Sequence, residues 1–262
     1  KRLTRNAANL ITDFRLLARA ATDGKPIISA GEWFLDNFHI VEEQVREVQH
    51  DLPPSFYREL PRLMDGPLEG YPRVYGIAWA LVAHTDSAFD VERLERFVHA
   101  YQQVTPLKIG ELWAIAITLR LTLVENLRRL IEIVVARVTD IGRAETMARQ
   151  ILARLAAGDE NVSIDTVLDG ATVSAAFLTR IEQRLRNQDP GADRIIRDIE
   201  GRLAAQGLSS EGVIQEEYQA QSADDISVRN IITAMRLVSN IDWPEFFECV
   251  SLVDGALKRH PG

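Results

Sequence analysis

A short polar cluster in the segment EWFLDNFHIVEEQVREV, residues 32–48, contains residue types that could do chemistry. Asp36, His39 and Glu43 share one face of the predicted helix, and a histidine with a carboxylate four residues away can supply two ligands to a metal ion. A complete site needs further ligands from other helices, and the chain has no paired E-x-x-H motif. The sequence therefore favours a solvated or interhelical polar face for Asp36, Asn37 and His39, and it predicts no metal.

A second set of aromatic and polar side chains lies in GYPRVYGIAWALVAHTDSAFD, residues 70–90. Such a mixture could stack on a sugar ring and hydrogen-bond to its hydroxyl groups. A second interpretation stays open, because Tyr75 and Trp79 are four residues apart and one helical face could hold both as core. Together with the first segment, the candidate glycan-binding residues are Trp33, Asp36, Asn37, His39, Tyr71, Arg73, Tyr75, Trp79, His84 and Asp86.

Arg120 interrupts the most apolar segment of the chain, LWAIAITLRLTLV. A buried arginine without a partner is destabilising by several kcal/mol, because its charge loses the hydration it has in water. We therefore predict a buried ion pair between Arg120 and a carboxylate, with Asp36, Glu43 and Asp86 as candidates. The polar cluster could then serve to neutralise a buried cation between helices.

No catalytic signature accompanies these candidates. The sequence contains no Gly-rich phosphate loop, no G-x-S-x-G elbow, no cysteine cluster and no Asp-x-Asp. Paired acids for glycoside hydrolysis could be chosen from many carboxylates, but spacing in sequence cannot show that two of them flank a glycosidic bond. One alternative stays open, a glycan-processing enzyme that uses carboxylates near Asp36, Glu43, Asp86 and Glu111.

The composition limits the class of partner. With 262 residues, 46% of them hydrophobic, the chain can bury a substantial core. Its net charge of −8 argues against nucleic acid or an anionic membrane surface as the main partner. The longest apolar run, of thirteen residues, is too short for a membrane span. Cys249 is the single cysteine and is predicted to be buried, in a reducing, cytoplasmic compartment; no cofactor is predicted.

Helical periodicity recurs along the chain and strand patterns are nearly absent, which predicts an all-α fold. One helix is predicted over residues 32–48 and should end before Pro53, because a proline disfavours helix at the residue before it. Capping residues predict further helix starts after Asp90 and Asp242, at Asp189-Pro190 and at Ser209-Ser210, for about nine helices in all.

Residues 111–157 contain almost no helix breaker except Gly142. This pattern predicts either one very long helix or two in line with a kink near Thr139 to Gly142. The half over residues 112–124 is apolar nearly all round, which is typical of an element with neighbours on every side. The sequence therefore predicts a multi-helix bundle or array around a long central apolar helix, running from near Ile109 to at least Val135.

Four stretches resemble the N-terminal region of the bacterial cyclic β-1,2-glucan synthases: GEWFLDNFHIVEEQVREVQHDLPPSFYRELPRL, GYPRVYGIAWALVAHTDSAFD, IGELWAIAITLRLTLVENLRRL and VRNIITAMRLVSNIDWPEFFECVSLVD. The resemblance implies an inner-membrane enzyme that builds a protein-linked β-1,2-glucan from UDP-glucose and cyclises it. It also implies a membrane-embedded glycosyltransferase and a phosphorylase-like C-terminal domain. This chain lacks both, as well as the Asp-x-Asp and Gln-x-x-Arg-Trp motifs of processive synthases, so no transferase residue can be assigned.

The resemblance thus predicts that residues 1–262 form a single, non-catalytic helical accessory domain. Gly158-Asp159 ends the predicted long helix, and a candidate sub-boundary lies near 158–163. Its expected place is the cytoplasmic face of the bacterial inner membrane, as part of a larger membrane protein. The predicted partners are the other domains of the parent synthase and β-1,2-glucan, with no nucleic acid and no direct membrane span. Glucan contact is expected to centre on Trp33, Tyr71, Arg73, Tyr75 and Trp79.

Overall fold

The computed structural model of the chain describes residues 2–159, 162, 174–186, 188–253 and 255. These residues form eleven helices and no β-strand, so the all-α prediction is confirmed. The helices are α1 (Arg2–Thr22), α2 (Ser29–Asp36), α3 (Phe38–Asp51), α4 (Pro54–Glu59), α5 (Arg73–His84), α6 (Val91–Val104), α7 (Ile109–Ala156), α8 (Ala175–Leu185), α9 (Pro190–Ala205), α10 (Ser210–Asn240) and α11 (Trp243–Val250). None of the described helices is long and apolar enough to cross a membrane.

Capping side chains set three of the predicted helix starts. The carboxylates of Asp90, Asp189 and Asp242 each accept a hydrogen bond from a backbone N–H two or three residues later, at 2.7, 2.7 and 3.1 Å. An aspartate in this position satisfies one of the N–H groups that the first helical turn leaves unbonded. The predicted starts of α6, α9 and α11 are therefore confirmed.

The single helix predicted over residues 32–48 is wrong. Helix α2 ends at Asp36 and α3 begins at Phe38, and Asn37 between them has φ −111° and ψ 13°. The Nδ2 atom of Asn37 donates to the carbonyl oxygen of Trp33 at 2.7 Å. Asparagine side chains that bond to the nearby backbone compete with the helical ladder in this way, and the helix breaks there.

Helix α7 runs without interruption from Ile109 to Ala156, through Gly142. Most side chains in its first half are buried, but Trp113 is 58% exposed. The expectation that this half has neighbours on every side is therefore wrong, since one side is open to solvent at Trp113. Cys249, predicted to be buried, is also exposed, one residue before the end of α11.

The chain groups into two compact units. The first comprises Lys1–Phe14, Trp33–Ile131 and Ile226–Gly262, and the second comprises Arg15–Glu32 and Glu132–Asp225. The prediction of a single domain over residues 1–262 stays a prediction. Of its candidate sub-boundary near 158–163, residues 160, 161 and 163 lie outside the described part.

The core of the first unit contains an aromatic cluster from α1, α2 and α3. The rings of Phe14 and Phe38 are stacked with centroids 4.2 Å apart, and Phe34 meets Phe38 edge-on at 5.4 Å. Farther along the chain, Gln102 Nε2 donates to the carbonyl oxygen of Val250 at 2.8 Å and so ties α6 to the end of α11.

The second unit has a separate core of small and branched side chains. Residues of α7, α8 and α9 contribute to it, among them the fully buried Ile151, Phe177 and Ile195. An ion pair of 2.7 Å between Arg137 Nε and Glu217 Oε1 connects α7 with α10 inside this unit.

Candidate functional site

The polar cluster of residues 36–39 does not form one site. Asp36 and His39 are exposed, whereas Asn37 is buried and accepts a hydrogen bond from Arg236 Nη2 of α10. Asn37 thus links the junction of α2 and α3 to α10 by a side-chain hydrogen bond. Glu43, the remaining member of the cluster's helical face, is exposed, and no group of three or more His, Cys, Asp or Glu side chains in the described part of the chain is placed to hold a metal ion.

Asp86 holds a strained turn that follows α5. Asp86 and Ser87 have φ angles of 47° and 61°, in the left-handed region that residues with a Cβ seldom adopt. The hydroxyl of Ser227 donates to both carboxylate oxygens of Asp86, at 2.9 and 2.8 Å, and Asn230 Nδ2 donates to its carbonyl oxygen at 3.1 Å. These bonds fix the turn to α10, so the carboxylate of Asp86 has a structural role; His84, the last residue of α5, is exposed.

Arg73 forms a two-pronged ion pair with Glu111 at the start of α7. Its Nε lies 2.5 Å from Oε1 and its Nη2 lies 2.6 Å from Oε2 of the fully buried carboxylate. Glu111 Oε2 also accepts from the backbone N–H of Lys108 at 3.0 Å. The hydrogen bonds to Glu111 raise the pKa of Arg73 in spite of its partial burial. Glu111, a candidate acid in the enzyme alternative, is therefore fully engaged.

Arg120 is 8% exposed, and its Nη2 lies 2.5 Å from Glu47 Oε2 of α3. The partner expected from the sequence was wrong, since Asp36, Glu43 and Asp86 do not form this ion pair. Burial lowers the pKa of Arg120, and the neighbouring carboxylates, Glu47 first, offset only part of that effect. Its Nη1 has no hydrogen-bond partner among the described residues.

Trp33 lies under a cation. The guanidinium carbon of Arg229 is 4.9 Å from the centre of the Trp33 ring, a cation–π distance. Tyr71, Tyr75 and Trp79 line one cavity, and Trp113 and Trp243 line another. Trp33 and Arg73 line neither, so the structure does not bring them together with the other candidate glycan-binding residues.

Tyr71, Tyr75 and Trp79 are predicted glycan-binding residues that the structure does bring together. They line a cavity of about 590 Å³ formed with α1 and α7. The two tyrosine rings are stacked with centroids 5.3 Å apart, and Trp79 is 42% exposed on the wall. The sequence analysis did not identify the charged and amide residues that complete the lining, chiefly Arg2, Arg5, Asn6, Glu125, Arg128 and Arg129. We call this cavity the arginine pocket.

Glu125 is a buried carboxylate of the arginine pocket. The hydroxyl of Tyr75 donates to its Oε2 at 2.5 Å, Asn6 Nδ2 donates to its Oε1 at 3.3 Å, and Arg2 forms an ion pair with Oε1. Burial, followed by the hydrogen bond to Glu125, raises the pKa of Tyr75. The negative charge of Glu125 is therefore neutralised by groups of the chain itself.

A second cavity, of about 530 Å³, lies between the end of α3, α4, α7 and α11. Its wall is aromatic: the rings of Trp113 and Phe247 have centroids 4.5 Å apart, and Trp243 lies 5.9 Å from Phe247. Arg120 and Asp51 are the charged groups in its lining. We call this cavity the tryptophan pocket. The sequence analysis missed it, because hydrophobic periodicity cannot show that one side of an apolar helix is left uncovered at Trp113.

Almost the whole chain is similar to one part of a known synthase. It is 34% identical, over 255 residues that make up 97% of the chain, to the cyclic beta-(1,2)-glucan synthase NdvB of Rhizobium meliloti strain 1021. The resemblance to the cyclic β-1,2-glucan synthases is confirmed. The matched region is 9% of the length of NdvB, so this chain spans a small part of that synthase. No protein-family model matches the chain.

The four acids named for the enzyme alternative do not come together at one place in the structure. Asp86 and Glu111 are held by hydrogen bonds and an ion pair, while Asp36 and Glu43 are exposed. None of the four lines the arginine pocket or the tryptophan pocket.

Proposed function

We propose that this chain is a non-catalytic, glucan-binding region of a cyclic β-1,2-glucan synthase, and that it holds the glucan at the tryptophan pocket. It scaffolds the other domains of that enzyme at the cytoplasmic face of the inner membrane. Two findings support the proposal, the similarity to NdvB along 97% of the chain and the exposed indole of Trp113 beside the buried guanidinium of Arg120. The proposed glucan contact rests on the second finding, Trp113 beside Arg120.

The lining of the tryptophan pocket matches both surfaces of a sugar ring. The C–H face of a pyranose packs against an aromatic ring, and Trp113 and Trp243 offer such rings. Hydroxyl groups at the sugar edge need a donor and an acceptor, which Arg120 and Asp51 supply. Arg120 Nη1 is a buried donor without a partner, which costs about 1–3 kcal/mol, so turning it into the cavity, where a hydroxyl oxygen can accept from it, would remove a cost already present in the structure.

The charge around Arg120 selects for a neutral ligand. Glu47 already balances the guanidinium charge, and Asp51 and Glu43 act on it at longer range. An anionic ligand would meet these carboxylates and be repelled, whereas an uncharged polyhydroxyl chain would not. The cavity volume of about 530 Å³ lies within the range of about 300–1,000 Å³ that is typical of small-molecule sites. Both the charge and the volume of the pocket therefore support a short stretch of glucan as its ligand.

The placement of carboxylates supports the absence of catalysis. Glycoside hydrolysis uses two carboxyl groups that flank one bond, about 5–9.5 Å apart. Among the described lining residues, the tryptophan pocket has the single carboxylate Asp51 and the arginine pocket has the single carboxylate Glu125. The charge of Glu125 is also neutralised by Arg2, and its Oε2 accepts a hydrogen bond from Tyr75. Neither pocket offers the pair of acids that the alternative requires.

Isothermal titration of the chain with β-1,2-linked glucose oligosaccharides tests the proposal. We expect saturable binding that Trp113→Ala weakens about tenfold or more, since stacking on an indole is worth roughly 1.5 kcal/mol. Trp79→Ala is the matched control, because it removes a partly exposed tryptophan from the other pocket. A β-1,3-linked oligosaccharide of equal length is the control for linkage.

Each of three results would contradict a different part of the proposal. Absence of saturation at millimolar oligosaccharide would remove glucan binding. Loss of binding in Trp79→Ala, with Trp113→Ala unchanged, would move the contact to the arginine pocket, which contains three of the five residues on which the sequence analysis centred it. Turnover of UDP-glucose, or release of shorter glucans by the purified chain, would overturn the non-catalytic assignment.

A further inference from the structure

The arginine pocket has a charge opposite to that of the chain as a whole. Its lining contains four arginines and Glu125, whereas the full sequence has 38 acidic and 30 basic residues. Arg2 is matched by Glu125, and Arg128 has an interaction of its own. Arg5 and Arg129 are exposed and form no ion pair with any described residue. A local excess of positive charge therefore faces this cavity.

The one carboxylate in the described lining does not reduce that excess further. Glu125 is buried, and its oxygens already accept from Tyr75 and Asn6 in addition to the Arg2 ion pair. A ligand entering the pocket therefore meets guanidinium and amide donors, with no free acceptor charge to repel an anion. Arginine matches the geometry of phosphate oxygens because its planar group donates two parallel N–H bonds.

The remaining wall suits a ring attached to that anion. Trp79 is 42% exposed, Tyr71 is partly exposed, and the cavity of about 590 Å³ is far larger than an isolated phosphate needs. We infer that the arginine pocket binds a phosphate or diphosphate group carried on a ring, with Arg5 and Arg129 bonding the phosphate oxygens and Trp79 stacking on the ring. A phosphorylated sugar and a nucleotide share this chemistry. This site is independent of the glucan contact proposed for the tryptophan pocket.

Titration calorimetry of the whole chain with inorganic pyrophosphate tests the phosphate part. We expect saturable binding that weakens at high salt, and a loss of at least tenfold in the double variant Arg5→Gln/Arg129→Gln. The double variant Arg19→Gln/Arg96→Gln is the matched control, since both arginines are exposed, lie outside the pocket and change the net charge equally. Equal loss in both variants, or no saturable binding to the unmodified chain, would overturn the inference.

Two further ligands test the ring and distinguish its source. A hexose phosphate and a nucleoside diphosphate are each titrated into the unmodified chain and into Trp79→Ala. Of these two ligands, the one that binds the unmodified chain more tightly should lose affinity about fivefold or more in Trp79→Ala. The affinity for pyrophosphate should stay unchanged in this variant. The tighter of the two identifies the ring as a sugar or a base. Unchanged affinity of both ligands in Trp79→Ala would refute the stacking role, and circular dichroism spectra identical to those of the unmodified chain verify that each variant is folded.

Discussion

The ion pair between Arg120 and Glu47 leads to an asymmetric prediction. Burial lowers the pKa of Arg120 by more than the surrounding carboxylates restore, so its charged form is less favourable in the fold than in water. Glu47 keeps part of its hydration, since its side chain is 32% exposed. Removing the cation should therefore be tolerated, whereas removing the anion should leave a buried charge without its main partner.

The magnitudes follow from these exposures. Breaking a fully buried pair from one side costs about 3–5 kcal/mol, and the partial exposure of Glu47 reduces the figure expected for Glu47→Gln to about 2 kcal/mol. For Arg120→Met, an unbranched apolar side chain takes the place of the guanidinium in an apolar segment, and the free energy of unfolding should change by less than about 1 kcal/mol. Arg120→Met should also weaken glucan binding, because the hydroxyl donor of the tryptophan pocket is lost.

Urea unfolding followed by far-UV circular dichroism measures both changes. Glu43→Gln is the matched control, since Glu43 is exposed on the same helix, and its effect should stay within about 0.5 kcal/mol. If Arg120→Met lowers stability as much as Glu47→Gln, the buried guanidinium is well compensated in the fold, contrary to the prediction.

Three other changes test the structural roles assigned above. Glu111→Gln should lower the free energy of unfolding by about 3 kcal/mol in urea titrations, because Arg73 loses both charged acceptors. Tyr75→Phe should reduce the loss of stability that the chain shows at alkaline pH. The folded-state pKa of Tyr75 is raised above its usual value of 10.0, so its contribution to stability is present below pH 10 and is lost as the pH rises above it. Thermal melts at a series of pH values around and above pH 10 measure this loss in both proteins. Asp86→Ala should lower the melting temperature and speed hydrogen exchange at the start of the turn, since the bonds from Ser227 that hold its left-handed backbone disappear; unchanged exchange would show that the turn is held elsewhere.

Helix starts could be predicted because their determinants are local. Asp90 caps α6 through a hydrogen bond to Arg93, three residues later, and the aspartates before α9 and α11 act over the same short distance. The break at Asn37 has a local part, the bond from its side chain to Trp33, and a distant part, the bond from Arg236 at the far end of the chain, which the sequence pattern does not show. Contacts between residues so distant in sequence leave no periodic trace.

The candidate site was recovered only in part for the same reason. The spacing of Tyr75 and Trp79 correctly placed them near one face of α5, but the arginines that give their pocket its charge come from α1 and α7. Trp113 lies in a run that is apolar on all sides, so its exposure depends on which neighbours the fold supplies. Residue types were visible in the sequence, whereas the surface each one faces was set by tertiary packing.

The division of the first unit among distant segments has a consequence for the order of events during synthesis. This unit needs Ile226–Gly262, whose Val250 bonds to Gln102 and whose Arg236 bonds to Asn37. At about 5–20 residues per second, the roughly hundred residues between Ile131 and Ile226 take on the order of 5–20 s to translate. During that interval, Trp33–Ile131 has been synthesised but the C-terminal part of its core has not. The apolar faces that α10 and α11 later cover are then still accessible to chaperones or to other nascent chains.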